Sequence, residues 1–143
     1  MKARALLPLL LLLAVGGPTS CGELLTKVPL AGIGKTNEVA VSLPAGTPLE
    51  FPVTAASYSY SGAGYLLIDV ELLRDRAVVA RMTCRGFEFE GGAGAGCGVT
   101  HSNSDCALRV PAGGANGVRV GSRLENEGAT ATFEGLAVEV RGP

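Results

Sequence analysis

The feature that most limits what this chain can fold into is a strict two-residue period on either side of a short polar turn. From Tyr65 to Leu73, Leu66, Ile68, Val70 and Leu72 make one wholly apolar face, while Asp69 and Glu71 mark the other. After Arg74-Asp75-Arg76, the return from Ala77 to Arg85 sets Val78, Ala80, Met82 and Cys84 on one side and Arg81, Thr83 and Arg85 on the other. Successive side chains on a strand point to opposite faces, so this pattern predicts a half-buried β-hairpin, whereas a helix would repeat its apolar positions at three and four. The pair is expected at the centre of the fold.

The same period governs most of the remaining chain. Val39, Val41 and Leu43 alternate with polar or small residues, Pro44-Ala45-Gly46 supplies turn chemistry, and Leu49, Phe51 and Val53 resume the alternation with Pro52 pointing to an edge. At Gly86 the phase slips, because Phe87 and Phe89 carry the apolar side thereafter; a bulge or a change of sheet is the natural reading. Three more segments follow, marked by Cys106, Leu108 and Val110, then by Val118, Val120 and Leu124, then by Leu136, Val138 and Val140, with a weaker one over Ala129 to Phe133. No segment keeps helical spacing. Short strands separated by turn signals predict an all-β domain over residues 37–143, a two-sheet antiparallel β-sandwich of jelly-roll-like or immunoglobulin-like topology.

The beginning of the chain is different. Lys2 and Arg4 form a basic head, Leu6 to Val15 an apolar run, and Gly16-Gly17-Pro18-Thr19-Ser20 a small-residue tail before Cys21. Residues 1–20 therefore read as a secretory signal, too short to remain as a membrane-crossing helix. With its cysteine placed where cleavage would expose it, the segment resembles the lipobox of bacterial lipoprotein precursors, although Pro18 stands where that family places an aliphatic residue. The resemblance implies that Cys21 carries lipid and becomes the first residue of the mature protein. It also implies outer-membrane sorting, since Gly22 and Glu23 are not the aspartate that retains enteric lipoproteins at the inner membrane. Residues 21–36, interrupted by Pro29, Gly32 and Gly34 and without a steady period, read as a tether able to lend a short edge strand. Gly34-Lys35-Thr36 imitates the end of a phosphate-binding loop, but proline occupies position 29, where that motif needs glycine.

Charge narrows the partners. The chain has 12 basic residues, Lys2 and Arg4 among them, against 13 acidic ones, and no basic block or stripe. Counterion release, the main source of nucleic-acid affinity, has nothing to work with, so no nucleic-acid partner is expected. Membrane association is expected through the N-terminal lipid alone, beside an unknown protein partner in the envelope.

Four cysteines are present. With Cys21 lipidated, Cys84, Cys97 and Cys106 remain, and an odd number leaves one thiol unpaired in an oxidising compartment. Gly91 to Asp105 reads as an irregular glycine-rich loop that needs pinning, which favours a Cys97 to Cys106 bridge. Cys84 to Cys106 is the rival, since both face inward by strand phase.

Catalytic chemistry finds little support. His101 is the single histidine; Ser102, Ser104 and Asp105 are its neighbours in sequence, but a triad needs groups that meet in space. No metal centre or cofactor is expected, because one histidine with cysteines committed to a bridge is too small a ligand set for a transition metal. Glu88, Glu90, Asn103 and Asp105 offer hard oxygen ligands around the glycine loop without a calcium-loop spacing. Tyr58, Tyr60 and Tyr65, all the tyrosines of the chain, cluster in one stretch and are the candidate ligand-binding residues, since a phenol ring suits stacking on sugars or gripping a protein. The expectation is an exported, lipid-anchored envelope protein with a structural or interaction role and no enzymatic activity; the alternative is a small-ligand or glycan-binding module, calcium-stabilised, of the same fold.

Overall fold

A computed structural model describes residues 22–101, 105–125 and 128–143; at 90, 91, 93, 95 and 97–101 it describes the backbone only. The described residues form nine strands and no helix: β1 (Leu24–Pro29), β2 (Thr36–Leu43), β3 (Pro48–Glu50), β4 (Val53–Arg74), β5 (Ala77–His101), β6 (Ala107–Arg109), β7 (Ala115–Leu124), β8 (Thr130–Glu134) and β9 (Ala137–Arg141). No helix among them is long and apolar enough to cross a membrane.

Every pairing among the described residues is antiparallel, and the registers resolve into two layers. In one layer β2 lies beside β7, β7 beside the second half of β4 (66–73), and that half beside the first part of β5. In the other, β1 lies beside β9, β9 beside β3 and the start of β4, and these beside β6 and the end of β5. Taking β3 with the start of β4 and β6 with the end of β5, the two layers follow the order of a jelly roll, one of the two topologies expected. Because β4 and β5 are long and pass from one layer to the other, hydrogen bonding is continuous through the whole sheet.

The core fills the space between the layers. Val28, Leu49, Phe51, Val53, Val138 and Val140 of one layer join Leu66, Ile68, Val70, Leu72, Val118 and Val120 of the other in a single buried cluster. The inward parity changes on the way across: Leu49 of β3, Phe51 after it and Val53 and Ala55 of β4 are buried at odd positions, Leu66, Ile68, Val70 and Leu72 further along β4 at even ones. Strands that pass from one sheet to the facing one do so through bends and bulges, and the pairing of β4 with β5 is irregular between Ser61 and Ala63 and between Leu66 and Leu67. In β5 the expected slip is a register shift: Leu66 pairs with Phe87 and Leu67 with Arg85, leaving Gly86 unpaired between the layers. The hairpin between β4 and β5 closes on Asp75 and Arg76, both at positive φ (52° and 73°). Asn116 pins this turn, accepting from the Asp75 N–H at 3.0 Å and donating to the Asp75 carboxylate at 3.0 Å.

Two expectations need correction. The disulfide joins Cys84 and Cys106, with the Cα atoms 5.2 Å apart, and not Cys97 and Cys106. Both cysteines point into the core, one from β5 and the other from just before β6, so the bridge staples the two layers. Cys97 instead lies in β5, its backbone paired with Ser57 of β4.

The segment 21–36 lends the edge strand that was allowed for it, and from Leu24 it belongs to the sheet. β1 pairs with β9 along its length and Val28 is completely buried. A bulge between Leu24 and Thr26 breaks the alternation, which is why the sequence shows no steady period there.

The glycine-rich stretch after Glu90 is strand rather than loop as far as His101. Gly94 pairs with Tyr60 and Gly96 with Tyr58, and each tyrosine ring lies over its partner, so a β-carbon at either glycine would press into the ring. Tyrosine covers what glycine leaves bare, the cross-strand pairing that makes glycine tolerable in a strand.

Candidate functional site

Two surfaces concentrate the polar and aromatic side chains. The first is the outer face of the β2–β7–β4–β5 layer, built by the polar halves of the alternating patterns. Glu38, Arg119, Glu71 and Arg81 stand in register across its four strands. Arg119 donates to Glu38 at 3.2 Å and to Glu71 at 2.8 Å, and Arg81 approaches Glu71 at 3.7 Å. One step along, Arg123 and Thr83 donate to Asp69 at 2.9 and 2.5 Å. Further on, Arg85 pairs with Glu125 at 3.5 Å and lies 4.3 Å above the Tyr65 ring.

Burial pushes the Asp69 carboxyl upward, but hydrogen bonds from Arg123 and Thr83 and the Arg123 charge outweigh it, holding the group below its ordinary value of 3.8. The hydrogen bond to Glu71 raises Arg119, and the one to Asp69 raises Arg123. A carboxyl whose folded pKa is depressed contributes stability above its unfolded pKa and loses it as pH falls through the folded value. Asp69→Asn should therefore flatten the acid limb of a plot of melting temperature against pH below about 4 and leave the neutral region little changed, since exposed pairs are worth about 0–1 kcal/mol.

This face carries a shallow concavity of about 720 Å³, bordered by Asp69, Glu71, Arg81, Arg119 and Arg123, where Gly34 and Gly121 bring no bulk. Three arginines and two carboxylates border it, an excess of one positive charge that Glu38, paired with Arg119 beside the concavity, offsets. Among the described residues no group of three or more histidine, cysteine, aspartate or glutamate side chains is placed to hold a metal.

The second surface is a three-stranded arm in which the middle of β4 (57–61) lies between β8 and the 93–97 stretch of β5. Its inner side is aromatic. Tyr58 stacks with Tyr60 at 6.1 Å and meets Phe87 edge-on at 5.1 Å, and Tyr60 approaches Phe89 at 5.0 Å, with Phe133 closing the group. Its outer side is small and polar: Ser59 faces Thr132, and Ser61 faces Thr130.

The candidate ligand-binding tyrosines thus do not converge. Tyr58 and Tyr60 are half-buried and committed to the aromatic cluster, while Tyr65 sits on the outer face of the other layer beneath Arg85. The signal in the sequence was parity, since Tyr58 and Tyr60 are at even positions and Tyr65 at an odd one of the same strand. Cys21 and Asn103 lie outside the described residues. The backbones of His101 and Glu90 pair with Val53 and Ala63, Glu88 pairs with Tyr65 and is exposed, and Asp105 is exposed at the entry to β6. Sequence reasoning did not single out the Arg119–Glu71–Arg81 row, although those residues are the polar partners of the apolar faces it used.

No protein-family model and no curated protein matches the sequence. Among solved structures, the chain is similar to one from the T13 IBDV viral particle, with a TM-score of 0.34 and 8% identity over 82% of this chain and 30% of that one. It is also similar to one from infectious bursal disease virus Gx strain, with a TM-score of 0.23 and 11% identity over 87% of this chain and 39% of that one. The chain thus spans well under half the length of either. At these scores the likeness carries no argument, and the fold rests on the strand registers.

Proposed function

We propose that this chain is an exported envelope protein, anchored by lipid on Cys21 and sorted to the outer membrane, whose jelly-roll body has a structural or protein-interaction role without catalysis. The observation that carries the reading is the head of the chain: a basic start, an apolar run of roughly ten residues and small residues leading to Cys21. The Cys84–Cys106 bridge supports it, because a structural disulfide in the core suits an oxidising compartment. The outer face of the arginine layer supports an interaction role, offering a broad hydrogen-bonding surface in which acid and base neutralise each other.

Intact-mass spectrometry of the protein from membrane fractions tests the anchor. The expected result is loss of residues 1–20 together with a lipid-sized increment on Cys21; the unprocessed chain in the cytosol would overturn the reading. One observation favours the second reading, a glycan-binding module: the concavity bordered by Asp69, Arg119 and Arg123 has the donors and acceptors that hydroxyl-rich ligands use. Saturable thermal stabilisation on glycan titration, abolished by Arg123→Ala, would establish that alternative.

A further inference from the structure

The fold leaves almost no chain between Cys21 and the body. The Gly22 carbonyl accepts from Arg141 Nη1 at 2.7 Å, the Glu23 carbonyl accepts from the Gly142 N–H at 2.8 Å, and β1 begins at Leu24. Gly22 lies so close on Gly142 that a β-carbon there would overlap the Gly142 carbonyl oxygen. The first residue fixed by the fold is therefore covalently next to Cys21, and one peptide unit spans only about 3.8 Å.

Leu24, three residues from Cys21, is 47% exposed, the one exposed large hydrophobic among the described side chains. Register and turn contacts identify the end of the sandwich to which it belongs. Leu24 pairs with Arg141 and Arg141 with Glu50, next to the turn at 44–47. That turn bonds to Val110 through the Gly46 N–H, and Arg74 at the β4–β5 hairpin donates to the Ala112 and Gly114 carbonyls. Leu24, the 44–47 turn, the Asp75–Arg76 turn and the 111–114 turn thus share one end. The β4–β5–β8 arm, reached by following β4 from Arg74 back through Tyr65 to Ser57, projects at the other.

We infer that the body stands directly on the lipid bilayer through the end that carries Leu24, with Leu24 seated in the headgroup region and the arm held farthest from the membrane. The inference rests on lipidation of Cys21 as proposed above. Amphiphile chains on Cys21 fix one point at the surface, and an exposed leucine three residues on, at most about 11 Å along the chain from that point, lowers its free energy by entering the interface. A protein built this way has a set orientation: the small polar outer side of the arm, with Ser59, Ser61, Thr130 and Thr132, is what a partner approaching from the aqueous side meets first.

The chain contains no tryptophan, so a single introduced indole reports its own depth. Full-length Leu24→Trp and Thr132→Trp proteins, purified from membranes, are placed in phosphatidylethanolamine–phosphatidylglycerol vesicles carrying a nitroxide near the headgroup. Intact mass first establishes the lipid on Cys21. The expected result is a blue-shifted emission for Leu24→Trp, quenched at least about twofold more than that of Thr132→Trp, and loss of that difference when a flexible six-residue Gly-Ser linker is inserted between Cys21 and Gly22. Equal quenching of the two indoles in protein whose mass shows the lipid would overturn the orientation and leave the anchor standing. An unmodified Cys21 would overturn the anchor and the orientation with it.

Discussion

Replacing Cys84 and Cys106 together with alanine should lower stability by about 3 kcal/mol, the chain-entropy estimate for a bridge closing a loop of 22 residues. In a domain of this size that corresponds to a drop in melting temperature of roughly 10 °C. Cys97→Ala should leave the melting temperature and its sensitivity to reductant close to wild type, because the core bridge does not use Cys97. Calorimetry of the three proteins with and without reductant makes the comparison. A wild-type protein whose melting temperature ignores reductant, or one destabilised equally by Cys97→Ala, would mean that the layers are not stapled where Cys84 meets Cys106.

Gly86→Ala is expected to cost about 2–3 kcal/mol, a large effect for a single methyl group. Gly86 is the residue left over when β5 slips register, and a β-carbon there would sit 2.6 Å from Ile68 Cγ1 and 2.7 Å from Val53 Cγ2. Those two side chains belong to opposite layers and both are buried, so neither can retreat without opening the core. Trimming Val53 to alanine should recover part of the loss, giving a double-mutant coupling of about 1 kcal/mol or more in denaturant titrations. Additive behaviour would show that Gly86 does not lie between the layers.

These two effects mark where the sequence was readable and where it was not. The hairpin from Tyr65 to Arg85 was legible because Leu66, Ile68, Val70 and Leu72 face a core while Asp69 and Glu71 face water, and a two-residue period has no other good explanation. The slip at Gly86 was visible for the same reason, as a change of parity. The run from Gly91 onward was misread because glycine is usually a sign of irregular chain, and its compensation lies thirty or more residues away in Tyr58 and Tyr60. Pairing across that distance is not written in either segment alone. The disulfide followed the same logic: strand parity pointed to Cys84 and Cys106, but the false loop made Cys97 attractive. β1 was hidden by its bulge, which removed the period from a strand that nonetheless buries Val28. The outer arginine row was legible in composition and not in arrangement, since the 119–71–81 alignment depends on two separate registers.

The pairing of β1 with β9 has a consequence for the order of events during biosynthesis. Among the nine described strands, the first to leave the ribosome, β1, has its hydrogen-bonding partner in the ninth, and β2 must wait for β7. No early intermediate can close that seam, so the nascent polypeptide stays open until Ala137–Arg141 arrives, and completion is slow because its decisive contacts are the most distant ones along the chain.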